Sequence, residues 1–312
     1  MSESKTLEQT LLSFKDTLKP NTIKAYCTSL RSLSRNTGVE LSPTEFKKNK
    51  NIIFKYLQTL DFKKRKHIIA SLLLYLTDVK DKAFIDTLKN IMYEDIKLTD
   101  EEQKKQEKTP RQKANWMSWQ EILDVRENLK NQVSHLFAKK NVNVMQYNKL
   151  IDYIIVCLYT YNPPRRLDYK DMRPFGYPVK DVKEDENYID VKAKRFVFQN
   201  YKTKGTYDDQ MVDINPELFA ILKAFSKVKV PYDVSKEDEW LIYDTKGLKF
   251  NSSKLSQRIS SIFNKPNFST NMLRHIYISE KVLPDRERLT ELEEKAREMG
   301  HSLETQSLYK KF

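Results

Sequence analysis

A chain of 312 residues with 39% apolar side chains, five glycines and 56 Lys+Arg against 43 Asp+Glu carries a net charge of +13. That length accommodates two domains with separate cores, and the surplus favours a polyanionic partner while leaving the fold open. Two cysteines, Cys27 and Cys157, both in apolar helical patterns, exclude a disulfide framework and read as reduced core residues.

The polar start MSESKTLEQT lacks the apolar stretch of a signal peptide, and the longest apolar runs, such as Ile151–Thr160, are too short to cross a bilayer. The expectation is a soluble intracellular protein. The charge is uneven: residues 1–117 hold 23 basic and 15 acidic side chains, leaving 33 and 28 for the rest.

Residues 1–97 read as a helical domain. Behind Pro20-Asn21, Ile23, Cys27, Leu30 and Leu33 recur at helical spacing. NIIFKYLQTL follows, then KKRKHIIASLLLYLTDVKD and AFIDTLKNIMYEDI. The basic run Lys63, Lys64, Arg65 and Lys66 is by itself an ordinary solvated helix end. On a set of amphipathic helices with a positive surplus it also fits a DNA-clamping module.

Over residues 98–117 the pattern lapses into TDEEQKKQEKTPRQKAN, charged and broken by Pro110, which reads as a linker. A second domain, 118–312, opens on a capping-box pattern, Ser118-Trp119-Gln120-Glu121, with Trp116 and Trp119 as a hydrophobic anchor. YNKLIDYIIVCLYT is a strongly apolar helix that Pro163-Pro164 stop. Strand patterns follow in YIDV, RFVFQNY and QMVDI, the last two flanking a Lys202–Gly205 hairpin turn. Helices return with PELFAILKAF, SKLSQRISSIF and Leu273–Val282. The fold class is thus mainly α with a small antiparallel sheet (α+β).

The second domain has no Gly-rich phosphate loop, His/Cys metal cluster or Ser-centred nucleophile elbow. It offers instead Arg165-Arg166 after the double proline, Lys202, Arg274-His275 in NMLRHIYISE, His301 after Gly300, and Tyr309. Taken singly each is ordinary: arginines favour helix C-termini, lysines populate turns, and a terminal tyrosine packs on a core. Only Arg274, set among Met272, Leu273, Ile276 and Ile278, calls for a partner or a ligand. Together they suit phosphoryl transfer on a nucleic acid. Arginine forks hold non-bridging oxygens, a lysine protonates the leaving alkoxide, and a tyrosine attacks to store the bond as an ester.

In this order the residues resemble the tyrosine recombinases, or lambda-type integrases, over the whole chain: a core-binding domain, a linker and a catalytic domain. The resemblance is nearest to the branch found in large DNA viruses and their mobile elements. It implies Arg166 as the first catalytic arginine, with Arg165 as the fallback and Asp168 as its buttress. The hairpin lysine is Lys202, with Lys204 as its rival; Asn271-Met-Leu-Arg274 matches the His-x-x-Arg box, Met299-Gly300-His301 the Leu-Gly-His, and Tyr309 the nucleophile. Two features depart from the pattern. Asn271 replaces a histidine and cannot exchange a proton at neutral pH, and only Lys310–Phe312 follow the tyrosine. His275, one residue from Arg274 on the helix, points about 100° away and is expected in the core or behind the site.

The resemblance further implies a site-specific recombinase that acts through a 3′-phosphotyrosine on double-stranded DNA. It would act as a dimer or tetramer, with no metal or other cofactor, in the host nucleus or cytoplasm if the source is viral. A type IB topoisomerase and a non-catalytic DNA-binding protein are the alternatives.

Overall fold

A computed structural model describes residues 6–139, 141–282, 291–292, 294–295 and 298–299. The chain divides into two compact units, Met1–Lys108 and Thr109–Phe312. Among the described residues no helix is long and apolar enough to cross a membrane.

The first unit is all helical: α1 (Leu7–Phe14), α2 (Pro20–Thr37), α3 (Pro43–Lys48), α4 (Lys50–Gln58), α5 (Phe62–Tyr75) and α6 (Lys82–Lys104). Pro20 occupies the first turn of α2, where its missing amide has no intrahelical partner to lose. Gly38 closes the helix at φ +70°, a conformation that needs no Cβ. The stripe Ile23, Cys27, Leu30 and Leu33 is buried against Ile69 and Leu72 of α5 and Phe84 and Leu88 of α6 in one core. Asp61 caps α5 by accepting from the Lys63 and Lys64 amides, and Asp81 caps α6 through the Phe84 amide.

The boundary between the two units, Lys108/Thr109, falls within the stretch expected as a linker, and much of that stretch is helical. Helix α6 runs on to Lys104, and α7 (Pro110–Asn115) follows with a Thr109–Gln112 capping box and Pro110 in its first turn. Most of this stretch is solvent-exposed, and its contacts with the basic run of α5 are made by Thr99 and Glu102. Asp95 is fully buried and Thr99 nearly so, and both face the basic run of α5.

The second unit is built around α9 (Val144–Thr160), ten of whose residues are buried. Packed with it are α8 (Trp119–Val133), α10 (Pro216–Phe225), α11 (Ser252–Ile262) and α12 (Thr270–Tyr277); α12 continues as a π-helical turn, Ile278–Val282. The Ser118–Glu121 capping box forms, with the Ser118 hydroxyl accepting from the Glu121 amide. Trp119 packs edge-on against Tyr277 at 5.1 Å, and its amide donates to Glu280 at 2.7 Å, while the Trp116 indole donates to the same carboxylate at 3.3 Å. The tryptophan anchor therefore grips the end of α12.

Three antiparallel strands form one sheet in the order β1 (Tyr188–Asp190), β2 (Arg195–Phe198), β3 (Gln210–Asp213). Ile189 pairs with Phe196, and Phe198 with Gln210. Phe196 and Phe198 pack on Tyr169 at 5.4 and 5.6 Å. Strand β2 is shorter than the RFVFQNY pattern suggests. The Gln199 and Asn200 amides leave the ladder and bond the Asn187 side chain instead, at 2.9 and 2.8 Å. Among the described residues the protein is mainly helical with one small antiparallel sheet, an α+β fold.

Candidate functional site

Where α9 stops at Thr160, Asn162, Pro163 and Pro164 carry the chain out of the core and deliver two consecutive arginines at its surface. They take different environments. Arg165 is 17% exposed; its Nε donates to Asp168 Oδ2 at 3.0 Å, and its guanidinium lies 3.8 Å from the centre of the Phe198 ring. Arg166 is exposed, held by its backbone, whose carbonyl accepts from the buried Tyr159 hydroxyl at 2.7 Å. Asp168 thus supports Arg165 and not Arg166, the neighbour with which the sequence pairs it.

Helix α12 brings the third arginine. Ser269 caps it, and Met272, Leu273 and Ile276 face the core, which turns the half-buried Arg274 towards the other two. Its Nη1 donates to Asn271 Oδ1, one turn earlier, at 3.3 Å. His275 is exposed, which corrects the expectation of a core or supporting place, since the buried face of α12 is already filled by aliphatic side chains.

Arg165, Arg166, Asp168 and Arg274 line one cleft of about 370 Å³, closed on its other side by Tyr201, Thr203, Tyr207, Gln210 and Val212 from the β2–β3 hairpin. The electrostatics of this cleft are lopsided. Burial lowers the pKa of Arg274, and the like charges of Arg166 and Arg165 lower it further against the pull of Asp168. Burial likewise raises the Asp168 carboxyl against the pull of Arg165, Arg166 and Lys170. Among the described residues that line the cleft, three guanidinium groups stand beside one carboxylate, a positive excess suited to an anion.

Lys202 is exposed on the hairpin, and Lys204 is ion-paired to Asp209 at 3.1 Å. Thr203, between them, lines the cleft, while neither lysine does. The Tyr201 hydroxyl donates to the Tyr207 and Asp208 carbonyls and so folds the hairpin tip back on itself. His301 and Tyr309 lie outside the described residues. Tyr201, Tyr207, Gln210 and Asn187 were not anticipated, because nothing in a hairpin sequence tells which of its side chains turn towards a distant helix. Among the described residues, no group of three or more His, Cys, Asp or Glu side chains is placed to hold a metal ion.

In the first unit the basic run is largely engaged with α6. Arg65 forms a two-pronged pair with the buried Asp95, Nε to Oδ2 at 2.9 Å and Nη2 to Oδ1 at 2.5 Å. Lys63 pairs with Glu102 at 2.6 Å, and Lys66 donates to Thr99 at 3.1 Å. Lys64 is exposed. Lys64→Ala is therefore expected to leave stability unchanged. Arg65→Ala is expected to lower stability instead, by stranding Asp95. Urea unfolding of the two variants checks both.

No protein-family model matches the chain, and no curated protein matches it. Among solved structures, one described as "Crystal structure of XerA recombinase" matches with a TM-score of 0.36 and 12% identity, covering 98% of this chain and 93% of that one. A likeness of that degree carries no functional argument.

Proposed function

We propose that the protein cleaves and rejoins DNA strands as a tyrosine recombinase does. The observation that carries this reading is the cleft in which Arg165, Arg166 and Arg274 face one carboxylate. In it Arg165 and Arg274 hold the non-bridging oxygens of the scissile phosphate, and the exposed Arg166 takes a flanking phosphate. Tyr309 attacks phosphorus and its phenol proton passes to solvent. The P–O5′ bond breaks and Lys202 gives a proton to the departing 5′ oxygen, leaving a 3′-phosphotyrosine. His301 donates a hydrogen bond to the phosphate. Attack by a 5′-hydroxyl from a second duplex reverses the ester and exchanges the strands, which calls for two or more copies on DNA. Asn271 contributes by orienting Arg274, not by exchanging a proton. Affinity rests mainly on phosphate contacts and falls steeply with salt.

The test is a panel of nicked duplexes taken from the DNA that flanks the gene, incubated with the protein and resolved on denaturing gels. Wild type is expected to trap a covalent adduct that Tyr309→Phe does not form. Tyr207→Phe, which removes the exposed phenol on the cleft rim, is expected to keep it. Adduct lost only in Tyr207→Phe moves the nucleophile to the hairpin. No adduct with any duplex assigns the cleft to phosphate binding without cleavage.

A further inference from the structure

Asn187 is completely buried, and its carboxamide uses both donors and both lone-pair positions. Nδ2 donates to the Asp168 carbonyl at 2.9 Å and to the Asn200 carbonyl at 3.0 Å. Oδ1 accepts from the Gln199 amide at 2.9 Å and the Asn200 amide at 2.8 Å. Its own backbone is fixed too, with the amide donating to the Asp171 carbonyl and the carbonyl accepting from the Arg173 amide, at 2.8 and 2.7 Å. One side chain thus joins two pieces of chain. The first is the turn Asp168–Asp171, whose leading residue holds Arg165. The second is the point where β2 leaves its ladder and enters the turn that carries Lys202.

A continuing ladder would satisfy the Gln199 and Asn200 amides without any side chain. Here the pairing ends at Phe198–Gln210 and Asn187 takes over, releasing the chain into the hairpin at this place and no later. A second tie runs parallel to it: Asn200 Nδ2 donates to Asp171 Oδ2 at 3.3 Å and to the Asp185 carbonyl at 2.7 Å.

We infer that Asn187 is a positioning residue that locks the Arg165–Asp168 pair and the root of the Lys202 hairpin into one rigid piece. The group that holds the phosphate and the group that protonates the leaving oxygen then keep a fixed separation. The inference rests on the strand-cleavage reading for its consequence, but not for the coupling itself. A polar residue with both donors and acceptors is required, because an aspartate at this place sets a carboxylate oxygen against two carbonyls.

The experiment compares wild type with Asn187→Asp, which keeps the shape, and with Asn187→Ser, which serves if the aspartate variant does not fold. Single-turnover adduct formation on saturating nicked duplex is read as a rate constant and an amplitude. The rate constant is expected to fall about 100-fold at unchanged amplitude, as small misplacements of reacting groups do. Hydrogen exchange is measured alongside it. Residues 165–171 and 199–209 are expected to exchange faster together, while α9 and α11 keep their protection. A lowered amplitude at an unchanged rate constant, acceleration throughout the second unit, or acceleration of only one of the two segments overturns the inference. If wild type forms no adduct, the cleavage reading fails by itself. The exchange measurement then still decides the coupling: joint acceleration supports it and one-sided acceleration overturns it.

Discussion

Arg165→Ala is expected to slow adduct formation by about 10²–10³-fold, the cost of losing one preorganised donor to developing charge. Arg166→Ala is expected to act mainly on affinity and its salt dependence. The two arginines are adjacent in sequence, yet they differ in what fixes them. Arg165 has its Nε taken by Asp168 and one face covered by Phe198, so its Nη edge is aimed before any ligand arrives. Among the described residues Arg166 is held through its carbonyl, and its exposed side chain loses more freedom on meeting a phosphate. Arg165→Lys is expected to be nearly as damaging as alanine, because an ammonium supplies neither the planar fork nor the stacking surface. Asp168→Asn keeps the shape but weakens the hold on Nε, and is expected to fall between. Single-turnover rates at saturating DNA separate these effects from affinity. A fast Arg165→Ala and a slow Arg166→Ala would reverse the assignment.

The choice between these arginines shows where sequence reasoning ends. The helical stripes, the Ser118 capping box, the proline stop after α9 and the three strand patterns are local signals, set by spacing within one element, and the structure has them close to where the pattern places them. The α+β class followed from those alone. Part of what sets Arg165 apart from Arg166 is Phe198, 33 positions away, and no periodicity reports such a contact. The same holds for the basic run of α5, whose partners Asp95, Thr99 and Glu102 come from another helix. Residues 98–104 are largely exposed, as their charge suggests, and the sequence does not tell that Thr99 and Glu102 among them turn to the basic run. Asn187 gave no signal, since asparagine before a strand is ordinary turn chemistry.

The largest stability effect is expected at a place that touches no substrate. Arg173 is 1% exposed and Glu186 5%, and they meet two-pronged, Nε to Oε2 at 2.8 Å and Nη2 to Oε1 at 2.5 Å. Nη1 donates to the Glu237 and Glu239 carbonyls at 2.7 and 2.8 Å, and the guanidinium lies 4.1 Å from the Trp240 ring centre. Arg173 thus ties together three irregular segments that lack a shared ladder. Arg173→Met leaves a buried carboxylate and two carbonyls without their partner, and is expected to cost about 3–5 kcal/mol at neutral pH. Replacing both residues with apolar side chains is expected to recover part of it, because the stranded charge is then gone.

The pH dependence distinguishes this account from simple loss of packing. Burial pushes the Glu186 carboxyl up, but the Arg173 fork, the Lys183 amide and the nearby positive charges outweigh it and hold the group below its usual value. A depressed carboxyl contributes stability that is complete above the unfolded pKa, about 4.3, and is lost as pH falls through the folded one. In Arg173→Met the sign inverts: the unpaired carboxyl is raised by burial, so protonation relieves it and acid restores stability. The gap between wild type and variant in urea unfolding should therefore narrow from pH 7 towards pH 4 as the variant recovers, and narrow further below about pH 4.3 as wild type loses its own share. A gap that stays constant over that range means that the pair acts through shape and not charge.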